Sequence, residues 1–263
     1  LFCEGDADIS LFYFSGHGTD DTTGKIVTPD FKGRDMGISM SDILALLNRS
    51  KNKNKVVILD CCFSGKFGES GVTSSNEVVL ADGVTIMTAS SRNQYALEKN
   101  NTGHGVFTEL LIQGLLGGAA DVGGNITPAS LYSFVDQSLG AWEQRPLFKT
   151  NISKFLPIRK IKPKVPIETL RKLSDYFQNP DSNYSLDPSF EFTNNPEYKI
   201  EIKQPYSKDI NVNKFKELQL YASVGLVEPI GEEHMYFAAM NNKACKLTPL
   251  GLHYWKLSKD KRF

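Results

Sequence analysis

The run KVVILD at residues 55–60 decides the fold of this chain, and Cys61 and Cys62 follow it directly. The run is apolar and rich in β-branched side chains, which predicts a strand that is buried on both of its faces. Such strands are typical of parallel sheets that helices cover on both sides. We therefore expect the polar residues after this strand to lie at the carboxyl edge of a parallel sheet.

The surrounding sequence alternates strand and helix patterns. Residues 9–14 and 84–88 form two further apolar runs and are predicted to be buried strands. Helices are predicted through residues 43–47 with Ser39 or Ser41 as the cap, over residues 106–116 with Gly117-Gly118 as the stop, and from Thr127-Pro128 through Leu139. This alternation indicates an α/β fold with a mostly parallel sheet covered on both faces.

The composition is that of an ordinary globular protein. The 263 residues, of which 40% are hydrophobic and 23% charged, suit one large domain or two small ones. The 30 Lys and Arg residues balance the 30 Asp and Glu residues. This neutrality argues against a dedicated nucleic-acid binder, and nucleic acid is not an expected partner.

Cysteine and histidine usage indicates neither a disulfide framework nor a metal site. The four cysteines contain no C-x-x-C pair, and two of them are adjacent, which favours a reducing, cytoplasmic setting. The histidines are not spaced as metal ligands with those cysteines. No apolar run approaches a membrane span and no secretory segment is evident, so we expect no membrane association. The cysteines are Cys3, Cys61, Cys62 and Cys245, and the histidines are His17, His104, His234 and His253.

A histidine and a cysteine each follow a predicted strand. His17 lies in SGHG at residues 15–18, and Cys62 lies in DCCFSG at residues 60–65. Parallel strands expose their carboxyl ends at one edge, where ligands bind, so the two side chains can meet in space. An imidazole can take the thiol proton and later protonate a leaving amine, which is the chemistry of a cysteine peptidase. Neighbouring glycines let backbone approach a substrate closely. The N–H groups of Gly18 and Cys62 could then face an oxyanion.

Taken singly, each residue also has an ordinary explanation. A lone histidine is most often a satisfied core residue, and a lone cysteine is most often a small buried hydrophobe. The placement of both at strand ends, each in a glycine-containing segment, favours the catalytic interpretation.

The two motifs resemble those of the caspase-like cysteine peptidases, closest to the metacaspases and their prokaryotic relatives. The resemblance covers about residues 8–156 and continues in TASS at residues 88–91, GVFT at residues 105–108 and QRP at residues 144–146. It implies a caspase-like α/β/α sandwich and a peptidase domain at residues 1–156. The Asp-x-Cys pattern of the family selects Cys62 as the nucleophile, with Cys61 as a packed neighbour.

The resemblance also implies a preference for basic substrates. In metacaspases, the residues that match Ser15 and Asp60 line the pocket for the residue before the cut, and these enzymes cleave after Arg or Lys. A partly buried carboxylate needs a cation, and an arginine can pair with it through two hydrogen bonds. The alternative is that Asp60 only caps the following turn or helix.

The chain departs from the family in what precedes residue 8 and in its acidic residues. The family's first strand and helix are absent, so we expect a missing N-terminal piece, retained as a cleaved companion chain or not included. No cofactor is predicted. Calcium activation is left open, because the candidates do not follow the EF-hand spacing and acidic loop residues are usually solvated. Those candidates are Asp20, Asp21, Asp30, Asp35 and Glu69. Residues 66–82 read as a loop where activating cleavage at Lys66 or an uncut active chain are both plausible.

A different composition begins near residue 157. Residues 157–166 interleave proline with lysine and arginine and are predicted to be a linker. In the domain at residues 167–263 we predict helices at 167–177 and 215–224, irregular chain at 179–213, a strand at 235–239 and a final helix after Thr248-Pro249. That order is typical of a winged helix, so the predicted domain is a small α+β, winged-helix-like module.

Three functions follow from this sequence. The first is a peptidase for protein or peptide substrates that cuts after basic residues and is controlled by a protein or small molecule at its C-terminal domain. By resemblance, such an architecture suggests a bacterial antiphage effector. The second is a catalytically silent scaffold, which the intact His17 and Cys62 disfavour. The third is a DNA-binding regulator that acts through the tail, although the tail shows no basic stripe.

Overall fold

The computed structural model describes residues 2–19, 24–32, 37–61, 79–89, 105–139, 145–153, 156–198 and 202–263. The chain divides into an N-terminal unit, Leu1–Ile161, and a C-terminal unit, Lys162–Phe263. The division falls inside residues 157–166, the segment predicted to be a linker.

A four-stranded sheet forms the centre of the N-terminal unit. Its order is β1-β4-β5-β7, in which β1, β4 and β5 are parallel and β7 is antiparallel to β5. The three predicted strands are present, and the sheet is mostly parallel as expected. β4 and β5 are buried, but the prediction that residues 9–14 are buried is wrong, because β1 lies at the edge of the described sheet and has no fully buried residue. The strands of this unit are β1 (Ile9–Ser15), the paired β2 (Lys25–Ile26) and β3 (Ile38–Ser39), β4 (Asn54–Asp60), β5 (Val84–Thr88), the paired β6 (Asn125–Ile126) and β8 (Arg159–Lys160), and β7 (Leu147–Asn151).

Three helices cover the sheet: α1 (Met40–Arg49), α2 (Val106–Gln113) and α3 (Pro128–Ser138). Ser39 is the N-cap of α1, where its side chain accepts from the N–H of Asp42, and Thr127 caps α3 in a reciprocal pair with Ser130. A π-helical turn at Gly114–Gly118 follows α2, and the chain leaves it at Gly117 with φ of 135°. Only glycine adopts that backbone angle without strain, so the predicted glycine stop holds.

The side chains of β4 alternate between two cores. Val56 and Ile58 pack with α2 and α3, whereas Val57 and Leu59 pack with α1 on the opposite face. A strand covered on both faces must be apolar at successive positions, which explains the unbroken run that identifies it. The caspase-like α/β/α sandwich is thereby confirmed for this unit.

In its described residues, the C-terminal unit contains five α-helices, a 3-10 helix at Pro188–Phe190 and a three-stranded antiparallel sheet of order β10-β11-β9. The predicted helix at residues 167–177 forms as two short helices with a break at Lys172. The elements are α4 (Ile167–Arg171), α5 (Leu173–Tyr176), β9 (Tyr184–Ser185), α6 (Asp209–Ser223), β10 (Val227–Pro229), α7 (Met235–Met240), β11 (Ala244–Leu247) and α8 (Pro249–Lys259).

Two predictions for this unit are wrong. Residues 235–239 form the helix α7 rather than a strand, because Met235, Ala238 and Ala239 are buried at the i, i+3, i+4 spacing of a helix face. Residues 179–213 are only partly irregular, since α6 already begins at Asp209. The remainder is organised by buried Asn194, whose two amide N–H groups lie within hydrogen-bond distance of three carbonyls and whose amide oxygen accepts from the N–H of Lys203.

Candidate active site

The parallel pairing of β1 and β4 brings the ends of these two strands to one edge of the sheet. Ser15 lies opposite Asp60 in the register, and the N–H of Gly16 donates to the carbonyl of Asp60 at 3.1 Å. His17 and Cys62 are each two residues beyond this pair in sequence. The expected common edge for the two motifs is therefore present.

The segment that carries His17 is held on its other side by β2. The carbonyl of His17 accepts from the N–H of Val27 at 2.9 Å, and Gly18 forms an antiparallel bridge with Ile26. The His17 side chain is exposed. Backbone hydrogen bonds to two neighbouring strands thus fix this segment while the imidazole faces solvent.

Asp60 is a buried acid at this edge, with 5% of its surface exposed. Its Oδ2 atom accepts a hydrogen bond from the Thr108 hydroxyl in the first turn of α2. The Gly105 N-cap of α2 also lies against the carboxylate. The carboxylate therefore lies at the amino end of α2, where the helix dipole favours negative charge.

Ser15 and Asp60 share a face of the sheet. Paired residues of parallel strands point to the same side, and Tyr13, two residues before Ser15, also points there. Ser15 is exposed and Asp60 is buried. The structure thus brings together the two residues expected to line the substrate pocket, with the acid beneath and the serine at the surface.

Several predicted residues lie outside the described part of the chain. They are Cys62, the proposed cleavage position Lys66, and four of the five calcium candidates, namely Asp20, Asp21, Asp35 and Glu69. The fifth candidate, Asp30, is exposed, and a hydrogen bond with Thr28 holds the pKa of its carboxyl below the usual value. Cys61 is 1% exposed and packs in the core under α1, as expected for a packing residue.

Two further observations concern the described residues only. Among them, no group of three or more His, Cys, Asp or Glu side chains is arranged to hold a metal ion. No described helix has the length and apolar character needed to cross a membrane.

Sequence reasoning missed the contacts of Thr108 and Tyr13. The Tyr13 hydroxyl lies 2.6 Å from the Thr108 hydroxyl, which in turn contacts Asp60. The alternation along β1 placed Tyr13 on the same face as Ser15, and that was the only signal available for it. Nothing in the sequence pairs Thr108 with Asp60, since they are 48 residues apart.

Comparison with known proteins defines the class. Residues 3–157, more than half of the 263-residue chain, match the family described as the caspase domain. The chain therefore belongs to the caspase-domain family of cysteine peptidases.

A solved structure similar to this chain is caspase-1 from Spodoptera frugiperda, at 14% sequence identity and a TM-score of 0.39. The similarity covers 59% of this chain and 64% of that one, so the chain spans less than two thirds of that relative. No curated protein matches the chain.

Proposed function

We propose that this chain is a cysteine endopeptidase in which Cys62 is the nucleophile and His17 is the base. The observation that carries this proposal is the parallel register of β1 and β4, with Ser15 opposite Asp60 at the edge from which both motifs continue. Membership of the caspase-domain family supports the same chemistry.

The reaction uses this chain's own side chains. The His17 imidazole takes the proton of the Cys62 thiol, and the thiolate attacks the scissile carbonyl carbon. The imidazolium then protonates the leaving amine, and water hydrolyses the resulting thioester.

Gly18 is proposed to supply one N–H to the oxyanion, with Cys62 supplying the other. Two hydrogen bonds flank the bridge between Gly18 and Ile26. The N–H of Val27 donates to the carbonyl of His17, and the N–H of Thr19 donates to the carbonyl of Lys25. The bridge therefore does not use the N–H of Gly18, which supports its role as an oxyanion donor.

The proposed substrate preference is for Arg or Lys before the cut, with Asp60 and Ser15 lining the pocket. The support is chemical, since a buried carboxylate at the edge where substrates bind favours a cation and can pair with an arginine through two hydrogen bonds. A metacaspase-type assignment rests on the same residues.

Fluorogenic peptides with Arg, Lys or Asp before the cut test this function, each assayed with and without calcium. We expect turnover of the Arg and Lys peptides, loss of at least about 1,000-fold in Cys62→Ala and His17→Ala, and near-normal turnover in the control Cys61→Ala. Cleavage after Asp would overturn the basic preference. Silence towards every peptide would favour the catalytically silent scaffold.

A companion strand is proposed at β1. In the described part of the sheet β1 is an edge strand, and its Leu11 and Tyr13 side chains are 47% and 43% exposed. An exposed apolar edge is a template for a further strand, here the N-terminal piece of the protein as a companion chain. Deuterium exchange of β1 should slow when that piece is added, and unchanged exchange would count against the companion.

The C-terminal unit is proposed to be a regulatory, winged-helix-like module that receives a protein or small-molecule activator. Its support is an open cleft of about 550 Å³ between α5 and α6, lined by two tyrosines, Ile210 and charged side chains. Ile210→Asp should change activator-dependent turnover, whereas Phe237→Asp, also at an exposed apolar residue but outside the cleft, should not. Equal behaviour of the two variants would count against this site.

Two proposals remain. The antiphage-effector role rests on resemblance, and the cytoplasmic location rests on cysteines that form no disulfide framework in the sequence. The rival DNA-binding role predicts binding that weakens steeply with salt, so salt-independent or absent DNA binding by the full chain would exclude it.

A further inference from the structure

We infer that Tyr13 and Thr108 form a hydroxyl relay that positions the Asp60 carboxylate to receive the cationic side chain of a substrate. Both are positioning residues, since they act through Asp60. The inference rests on the proposed basic preference, and it assigns two specificity-determining positions to which the sequence motifs gave no such role.

The relay has a direction. An ionised carboxylate only accepts hydrogen bonds, so Thr108 must donate its single hydroxyl proton to Asp60 Oδ2. The Tyr13 hydroxyl lies 2.6 Å from the same Thr108 oxygen and must therefore be the donor in that contact. The chain of donation runs from Tyr13 through Thr108 to Asp60, and each bond polarises the next.

The relay joins three separate elements. Tyr13 is on β1, Thr108 is on α2 and Asp60 is the last residue of β4. Thr108 is 6% exposed and Asp60 is 5% exposed, whereas Tyr13 is 43% exposed. A half-exposed phenol thus connects to a buried carboxylate through a buried hydroxyl.

Gly105 confines the carboxylate from the helix side. A Cβ atom at this position would lie 3.0 Å from Oδ2 and 3.3 Å from Oδ1 of Asp60. The backbone of the α2 N-cap therefore packs against both oxygens, and the Thr108 hydroxyl fixes the rotation of the group.

This confinement matters because an arginine pairs with a carboxylate in a planar, two-bond geometry. A carboxylate that is already oriented need not be reordered when the substrate binds, so more of the interaction is available for binding and positioning. Hydroxyl donors orient the group without adding a positive charge.

Three variants and one control test the relay with peptides that differ only in Arg or citrulline before the cut. Citrulline keeps the shape of arginine and lacks its charge, so the Arg-to-citrulline ratio of kcat/KM measures recognition of the cation. We expect Thr108→Val to lower this ratio about 10-fold, mainly through KM, Tyr13→Phe to lower it about 3-fold, and Thr108→Ser to restore it.

The matched control is Thr85→Val. Thr85 is another buried threonine of the N-terminal unit, 2% exposed, and its hydroxyl lies 3.0 Å from that of Thr150 across β5 and β7. This variant should leave the ratio unchanged. If the role of Thr108 were purely structural, Thr108→Val would lower the melting temperature and reduce kcat/KM equally for both peptides.

The outcomes separate the relay from the proposed function. If Thr108→Val and Thr85→Val both turn over the Arg peptide and give the same Arg-to-citrulline ratio of kcat/KM, the relay alone is overturned. The second outcome combines two results: the wild-type chain does not turn over the Arg peptide, and the Cys62→Ala variant does not bind it in calorimetry. That outcome would overturn both the basic preference and the relay.

Discussion

The two units each contain a carboxylate that a tyrosine helps to hold, and the two are held differently. In the N-terminal unit, Tyr13 reaches Asp60 through the neutral hydroxyl of Thr108. In the C-terminal unit, Glu217 accepts from the Tyr176 hydroxyl and from the ammonium of Lys172, both at 2.6 Å. Asp60 is 5% exposed, whereas the Glu217 side chain is 23% exposed.

The described contacts differ in what they do: the contact at Asp60 orients the carboxylate, and the contact with Lys172 also neutralises the charge of Glu217. A lysine cancels the charge of Glu217 within its own unit, which is typical of a contact that supports the fold. The contact that is described at Asp60 comes from a neutral hydroxyl, which orients the carboxylate. We therefore expect changes at Asp60 to alter substrate choice and changes at Glu217 to alter stability.

Within this comparison, the largest expected effect is the loss of activity on changing Asp60. Asp60→Asn keeps the shape and removes the charge, so kcat/KM for Arg peptides should fall about 100-fold. Glu217→Gln is the matched change in the other unit. Because Glu217 lines the proposed activator cleft, this variant is judged by the Arg-to-citrulline ratio of kcat/KM, which should stay within about twofold of the wild-type ratio. Steady-state kinetics on both variants would contradict the comparison if Glu217→Gln lowered that ratio as much as Asp60→Asn.

A smaller effect is expected at Gly105. In Gly105→Ala the new methyl group would press on both oxygens of Asp60, so the carboxylate must shift by a few tenths of an ångström. The Arg-to-citrulline ratio should fall several-fold while the citrulline rate changes little. An unchanged ratio would show that the position of Asp60 is not critical.

The two tyrosines provide a third contrast. Tyr176→Phe removes a hydrogen bond to a charged, partly buried group, and should lower the unfolding free energy of the C-terminal unit by about 1–2 kcal/mol. Tyr13→Phe should lower the unfolding free energy of the N-terminal unit by less than this amount. Chemical denaturation of both variants measures the two losses, and a larger loss in Tyr13→Phe would contradict the comparison.

The smallest expected effect is on the stability of the C-terminal unit at low pH. Burial raises the pKa of Glu217, but the hydrogen bonds from Lys172 and Tyr176 outweigh it and hold the pKa below the ordinary value of 4.5. The stabilisation is therefore complete above pH 4.5 and is lost as the pH falls through the lower folded-state pKa. Thermal melts should show that Glu217→Gln removes this part of the acid sensitivity, and an unchanged acid profile would count against the pair.

The framework of the N-terminal unit could be predicted because its central strands, β4 and β5, are buried on both faces. A run such as residues 55–60 allows few other structures, and the caps at Ser39 and Thr127 mark where helices begin. The edge that carries Ser15 and Asp60 then follows from parallel pairing alone.

The remaining features depend on contacts that no local pattern encodes. The run at residues 235–239 mixes aromatic residues with alanine and methionine, so packing rather than propensity decided that it is helical. The contact of Thr108 with Asp60 depends on how α2 meets the end of β4, which the sequence does not specify.

The three cysteines other than the proposed nucleophile Cys62 are expected to react slowly with an electrophile. Burial raises the pKa of the Cys245 thiol to about 12, so this thiol stays protonated at pH 8. Burial also raises the pKa of Cys3, and Cys61 is packed in the core. A thiol-reactive substrate analogue can therefore report on the proposed nucleophile.

The most direct test is labelling with a peptidyl chloromethyl ketone that carries arginine at its reactive end, followed by peptide mapping by mass spectrometry. We predict one modification, at Cys62, that His17→Ala abolishes and Asp60→Asn slows. Modification at Cys3, Cys61 or Cys245 in its place, or labelling at Cys62 that proceeds equally without His17, would contradict the assignment of this pair as the catalytic site.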